Sequence, residues 1–271
     1  MFTTPASTFI DPKPVNPHIA SVIAQFEPIT LPEMEGVALL ERVDTKFILT
    51  EQQLLNMLAN ISHAYRVLEI KDVRLFHYRT LYFDTADFLL YRQHHSGKRN
   101  RYKIRFRCYE DSGLSFLETK FKTTHDRTLK TRLQVPQIET QFDDAMQAFL
   151  RTHFPIDATL LTPTISNTFL RLTLASKQSQ ERATLDLQVG FESLGTTSHL
   201  PRLVIAEVKQ PVYSRRSELM HQLEALHVRR CSFSKYCIGV ALHYQAVKHN
   251  NLKPTLLQMD KLLNRVQDNL F

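Results

Sequence analysis

The segment Arg99-Asn100-Arg101-Tyr102-Lys103-Ile104-Arg105-Phe106-Arg107-Cys108 alternates cations with mostly apolar residues. Extended backbone sends successive side chains to opposite faces, so a strand here has one wholly cationic face and one mostly apolar face. Neighbouring charges on that face lie roughly 6.7 Å apart and repel by about 0.6 kcal/mol per pair in water, or about 2.5 kcal/mol at an effective dielectric of 20. Such a face is either bathed in water or neutralised by an anion. The pattern recurs. Glu118, Lys120 and Lys122 share one parity, Lys130 and Arg132 repeat the cationic alternation, and Arg182, Thr184, Asp186 and Gln188 oppose Ala183, Leu185, Leu187 and Val189. Glu207 and Lys209 fall together in Val204–Lys209. Closed into a barrel, these strands line a lumen with Arg, Lys and a few carboxylates, which a polyanion with a bound divalent cation would satisfy.

Composition narrows the anion chemistry. The 271 residues carry 34 Lys+Arg against 27 Asp+Glu, a formal charge of +7, but only 6 glycines. No G-x-G-x-x-G can be written, and Thr196 stands where a P-loop with Gly190 and Gly195 needs its lysine. If phosphate is handled, side chains do it. Three cysteines (Cys108, Cys231, Cys237) without a CxxC argue against a disulfide framework or a zinc ribbon. His94-His95 reads as a turn beside Gly97 without the carboxylate or cysteine spacing of a metal site. The tyrosines Tyr78, Tyr82, Tyr91 and Tyr102 read as core and lumen packing, and Lys98–Arg101 taken alone would pass for a nucleic-acid patch. No apolar run reaches the roughly 18 residues of a membrane helix, and Met1–Pro17 lacks the regions of a signal peptide, so a cytoplasmic location is expected.

The elements that must position these residues follow from period and punctuation. Four prolines in residues 1–20 suggest a disordered or draped arm over 1–25. A short helix over Leu31–Leu40 leads into a strand at Val43–Leu49, and Thr50 with Gln53 forms a capping box for a helix through Ile61. From Tyr65 to Val135 the period is 2 and strands dominate, with turns at Gly97 and Asp111-Ser112-Gly113. Phe142–Thr152 reads as helix. Strands follow at Phe169–Leu174, Thr184–Val189 and Leu203–Lys209, then helices over Ser214–His227, Tyr236–Lys248 and Pro254–Leu270. The expected class is α+β: an antiparallel β-barrel with peripheral helices over 26–248, and a C-terminal helix in 249–271.

The string Glu41-Arg42-Val43-Asp44-Thr45-Lys46-Phe47 resembles the VTC domain. So do, in the family's order, Leu81-Tyr82-Phe83-Asp84-Thr85 with Leu90-Tyr91-Arg92, Tyr102–Arg107, Phe116–Lys120, Ala206–Lys209 and Phe233-Ser234-Lys235-Tyr236. That domain is the polyphosphate polymerase module of the vacuolar transporter chaperone complex, grouped with the triphosphate tunnel metalloenzymes, or CYTH-like proteins. The resemblance implies a triphosphate tunnel whose basic lumen binds a triphosphate or polyphosphate beside Mn²⁺ or Mg²⁺. It implies a catalytic set of Lys46, Arg105, Arg107 and Lys235. Phosphate binding falls to Arg92, Lys103, Lys120, Lys130, Arg171, Arg182, Lys209 and Ser234, with Lys103, Arg182 and Lys209 resting mainly on the alternation. Glu207 is the implied metal ligand, with Glu118 and Asp186 as secondary candidates.

Hydrolytic members of that superfamily carry Glu-x-Glu-x-Lys on the first strand, where this chain has Arg42-x-Asp44-x-Lys46. Loss of the first carboxylate points to phosphate, and not water, as the acceptor. The implied activity is transfer of the terminal phosphate of a nucleoside triphosphate such as ATP onto polyphosphate. A metal-dependent triphosphatase and a non-catalytic polyanion binder are the alternatives. No specific nucleic-acid partner is expected, and a membrane-protein partner stays open.

Overall fold

The computed structural model describes residues 14–36, 42–124 and 127–268. Among these described residues twelve strands form one sheet: β1 Glu27–Ile29, β2 Val43–Thr50, β3 Tyr65–Leu68, β4 Leu75–Thr85, β5 Arg101–Tyr109, β6 Leu114–Lys122, β7 Thr128–Val135, β8 Leu161–Ser176, β9 Arg182–Ser193, β10 Thr196–His199, β11 Leu203–Gln210 and β12 Arg230–Cys231. The main path runs β12-β2-β11-β9-β8-β4-β5-β6-β7 with every pairing antiparallel; β1 pairs parallel to β3 at one side, and β10 folds back on β9. Among the described residues eight α-helices complete the α+β fold: α1 Pro17–Ala24, α2 Leu31–Gly36, α3 Glu51–Ile61, α4 Leu89–His95, α5 Asp144–His153, α6 Glu218–Ala225, α7 Lys235–His243 and α8 Lys253–Asp268. Among the described residues no helix is long and apolar enough to cross a membrane.

The sheet curls. Lys120 on β6 and Glu207 on β11 act on each other electrostatically. Five strand spacings would separate them in a flat sheet, roughly 24 Å at about 4.8 Å each. The curl is not closed by hydrogen bonds, because among the described residues β7 does not pair with β12 or β2. The barrel expected from the sequence is therefore a curled sheet with a seam.

Alternation places the two faces. Phe47 and Leu49 of β2, Leu170, Leu172 and Leu174 of β8, Leu185 and Leu187 of β9, and Val204, Ala206 and Val208 of β11 face outward under α1, α3 and α6. Ile104, Phe106 and Leu117 face α5. The opposite parity faces the lumen and changes character along the strands. Beyond Lys46 and Glu207 come Ile48 and Ile205, which join Ile165, Phe169, Val189 and Phe191 in an apolar cluster around α7 and α8. Helix α7 thus plugs one end of the lumen.

Local signals explain the helices near the site. Thr50 and Gln53 form the expected capping box on α3, and Ser234 caps α7 by accepting from the Cys237 backbone N–H at 3.3 Å. Buried Asp84 accepts the backbone N–H groups of Leu90 and Tyr91 at 2.8 Å each and the hydroxyl of Tyr236, fastening α4 and α7 to the end of β4.

Two expectations change. The arm placed over 1–25 does not hold for α1, which Pro17 starts at its first position and Asn16 caps, and whose Ile19 and Ile23 are buried. Residues 1–13 lie outside the described set, as do 37–41, which include Glu41 and the end of the Leu31–Leu40 expectation. Finally, His94-His95 is the last turn of α4 rather than a loop.

Candidate functional site: a cationic lumen

Ten cations from seven strands and α7 share this interior: Lys46, Lys103, Arg105, Arg107, Lys120, Lys130, Arg171, Arg182, Lys209 and Lys235. Three carboxylates, Glu118, Asp186 and Glu207, stand against them. Two of the three are saturated. Glu118, fully buried, accepts Arg105 Nε at 2.8 Å and Nη2 at 2.6 Å, and Lys130 Nζ contacts its other oxygen. Asp186 accepts Arg171 Nε at 2.6 Å and Nη2 at 2.8 Å, and also Lys235. Burial would raise both carboxyls, but the adjacent cations outweigh it and hold them well below the usual carboxylate range.

Glu207 differs. Its partner Lys209 lies at 3.3 Å and also donates to Thr184 Oγ1 at 3.2 Å. Burial works against its ionisation, and Lys209, Lys46, Arg171 and Lys120 together keep it ionised far into acid. Among the described residues no three His, Cys, Asp or Glu side chains come together as a metal cage. The donors fit a divalent ion held by one protein carboxylate plus phosphate oxygens, the arrangement Mg²⁺ favours. Glu207 is the carboxylate able to serve; the structure commits the secondary candidates Glu118 and Asp186 to ion pairs instead.

The remaining cations have weak anchors. Lys46 donates to the Phe233 carbonyl at 2.8 Å, and Lys103 to Ser234 Oγ at 3.0 Å. Arg107 packs over the Tyr78 ring at 5.6 Å, with its buried Nε lacking a hydrogen-bond partner. Burial lowers its pKa, as does Arg105. Lys120 is pushed well below the usual lysine value by Arg105, by burial and by Arg107. Burial also depresses Lys103, to about 7, and Lys235, to about 8. These positive groups cost free energy while no anion is present.

The structure brings together every residue expected in the site except one. Arg92 lies on the exposed side of α4, paired with Asp87, with 56% of its side chain exposed. Ser234 and Lys235 enter the lumen because α7 points its N-terminus there. His94, two residues along α4 from Arg92, is half-buried and feels the charges of Lys103, Arg101 and Lys46. An open cleft of about 620 Å³ lies beside Lys46, lined also by Asp44, Tyr213, Arg230 and Cys231.

The sequence model of the VTC domain matches residues 41–244. The chain belongs to the VTC domain family. No curated protein matches the chain. Solved structures resemble the chain more distantly. An adenylate cyclase candidate from Bacillus halodurans has 15% identity and a TM-score of 0.48, over 75% of this chain and 97% of that one. A candidate adenylyl cyclase from Hippeastrum, described as having a dominant triphosphatase activity, has 14% identity and a TM-score of 0.46, over 73% and 96%. The PH1819 protein of Pyrococcus horikoshii has 14% identity and a TM-score of 0.42, over 74% and 98%. In this VTC domain the first-strand Asp44 is occupied by Arg42 Nε at 2.9 Å and also acts on Lys209, its cross-strand neighbour.

Proposed function

We propose that this VTC domain moves the terminal phosphate of a nucleoside triphosphate onto a polyphosphate chain inside its cationic lumen. The observation that carries the reading is the charge imbalance: among the described residues ten cations face Glu118, Asp186 and Glu207, and Arg107 and Lys120 form no ion pair with a carboxylate. A phosphate chain supplies the missing negative charge along a line, as strands with a two-residue repeat supply the cations.

In the proposed reaction a terminal oxygen of the chain attacks the γ-phosphorus, and the bond to the bridging oxygen breaks to release a nucleoside diphosphate. Arg105 and Arg107 from β5 and Lys120 from β6 neutralise the oxygens of the transferred group. Lys46 and Lys235 approach from the opposite wall and hold attacking and leaving phosphates in line. Such transfer is mostly positioning and electrostatics, so an inventory of many cations and no free general base suits it. A divalent ion, when bound at Glu207, would add charge neutralisation at the phosphate oxygens. The Arg42–Asp44 pair favours phosphate over water as acceptor, since among the described residues no uncommitted carboxylate stands at the start of β2 to orient water.

The test separates binding from turnover. Glu207→Gln is expected to abolish Mn²⁺- or Mg²⁺-dependent turnover of ATP while leaving polyphosphate binding within a fewfold of wild type. Turnover undiminished in this variant refutes the assignment.

A further inference from the structure

Thr80 of β4 is the cross-strand partner of Asn167 on β8 and of Arg107 on β5, so the three form one row across the sheet. Alternation puts the row on the inner face: Thr80 has the parity of Tyr82, whose hydroxyl accepts Arg105 Nη1 at 3.3 Å. Thr80 is 0% exposed and Asn167 is 1% exposed. Thr80 Oγ1, Asn167 Oδ1, Asn167 Nδ2 and Arg107 Nε are all buried, and among the described residues none has a hydrogen-bond partner, not even one another. Buried polar groups are nearly always paired, so an unpaired row of them points to a ligand.

The chemistry of the row selects that ligand. Arg107 Nε only donates, the asparagine amide offers both a donor and an acceptor, and the threonine hydroxyl does either. A phosphate oxygen would face the Asn167 carbonyl oxygen with no proton between them. A cation would face Arg107. Water donates and accepts, and so suits every atom of the row. The row is also walled in. The Tyr78–Phe169 ring pair, with centroids 5.1 Å apart, flanks it on one side, and the Tyr82–Tyr236 pair, 5.0 Å apart, on the other.

We propose that Thr80, Asn167 and Arg107 enclose a buried water site, and that through this water Thr80 and Asn167 position the Arg107 guanidinium. The positioning role rests on the reading that the lumen takes a phosphate chain; the water site stands without it. Arg105 and Arg171 are held by the carboxylates Glu118 and Asp186, which offset their charge. Arg107 has no such pair among the described residues, and its packing over the Tyr78 ring at 5.6 Å sets no hydrogen-bond direction. A neutral water orients Nε and leaves the whole charge of the guanidinium to a phosphate, which a carboxylate anchor could not do.

The experiment uses the full chain. A high-resolution crystal structure of the ligand-free protein is expected to show ordered water within hydrogen-bond reach of Asn167, Thr80 and Arg107 Nε. Calorimetry with metal-free tripolyphosphate then compares wild type, Thr80→Val, Thr80→Ser and Asn167→Leu, with Thr80→Val repeated in an Arg107→Lys background and thermal melts confirming that each variant is folded. Thr80→Val and Asn167→Leu are expected to bind about tenfold more weakly, as for one lost hydrogen bond to a charged group, and Thr80→Ser, which keeps the hydroxyl, to bind as wild type. Lysine has no Nε–H, so in the Arg107→Lys background Thr80→Val should have no further effect. An equal loss in both backgrounds, or Thr80→Val and Asn167→Leu binding as wild type, overturns the positioning role. A dry row, or a phosphate oxygen bonded to Thr80 or Asn167 in the tripolyphosphate complex, overturns the water site. Failure of wild type to bind tripolyphosphate overturns the phosphate-lumen reading and the positioning role together, while the crystal structure still decides the water site.

Discussion

Asp186→Asn is the sharpest test of how the lumen is held together. Asp186 is 3% exposed and accepts two hydrogen bonds from Arg171, at 2.6 and 2.8 Å, and one from Lys235. Asparagine keeps the shape and removes the charge, leaving two buried cations facing each other. Removing one partner of a buried ion pair costs about 3–5 kcal/mol. For a chain of this size each kcal/mol is worth about 2–4 °C, so the melting temperature of the metal-free protein should fall by about 10 °C. What the variant lacks is negative charge, which a phosphate chain supplies. Saturating tripolyphosphate should therefore raise the melting temperature of Asp186→Asn more than that of wild type. Scanning calorimetry with and without tripolyphosphate reads both effects. A variant that melts like wild type, or gains no more from the ligand, refutes the argument that buried cations in this lumen require anionic compensation.

Other expected outcomes follow from the same geometry. Glu118 and Asp186 have folded pKa values depressed below their unfolded ones, so their contribution is complete above about pH 5 and drains away below about pH 4; acid melts should steepen there. Lys103 and Lys235 are lowered to about 7 and about 8 by burial, so the unfolded chain holds more protons between roughly pH 7 and 10. Stability of the ligand-free protein should rise with pH across that window, and bound tripolyphosphate should flatten the rise; a flat ligand-free profile contradicts it. Gly239 packs α7 against the sheet so closely that an added Cβ would lie 2.7 Å from Phe191 Cδ1 and 2.8 Å from Ile165 Cγ1. Gly239→Ala should cost about 1–3 kcal/mol in a thermal melt and, by shifting the helix that carries Ser234 and Lys235, weaken tripolyphosphate binding.

Much of this was readable because the lumen obeys a two-residue period. Lys103, Arg105 and Arg107 share a face whatever the sheet around them does, and the structure keeps that face inward. Where position depended on a helix, the sequence said less. Arg92 and His94 lie two residues apart on α4, so roughly 200° of helical turn separates them; one pairs with Asp87 while the other feels the charges of Lys103 and Lys46. A seven-residue helix between two strands leaves too short a pattern to tell its faces apart. The seam between β7 and β12 was equally hidden, since alternation specifies faces and not which strands meet. The buried network in which Tyr65 and Gln210 hold Glu181 was also missed: its members come from β3, the end of β11 and the residue before β9, and none is marked by spacing.

The central claim is that the lumen lengthens a phosphate chain. Pure protein incubated with ATP and Mn²⁺, assayed in one reaction for polyphosphate length and free phosphate, tests it most directly. The account predicts polyphosphate that grows with time at the expense of ATP, with free phosphate a minor product. Phosphate release without chain growth, or no consumption of ATP at all, would contradict it.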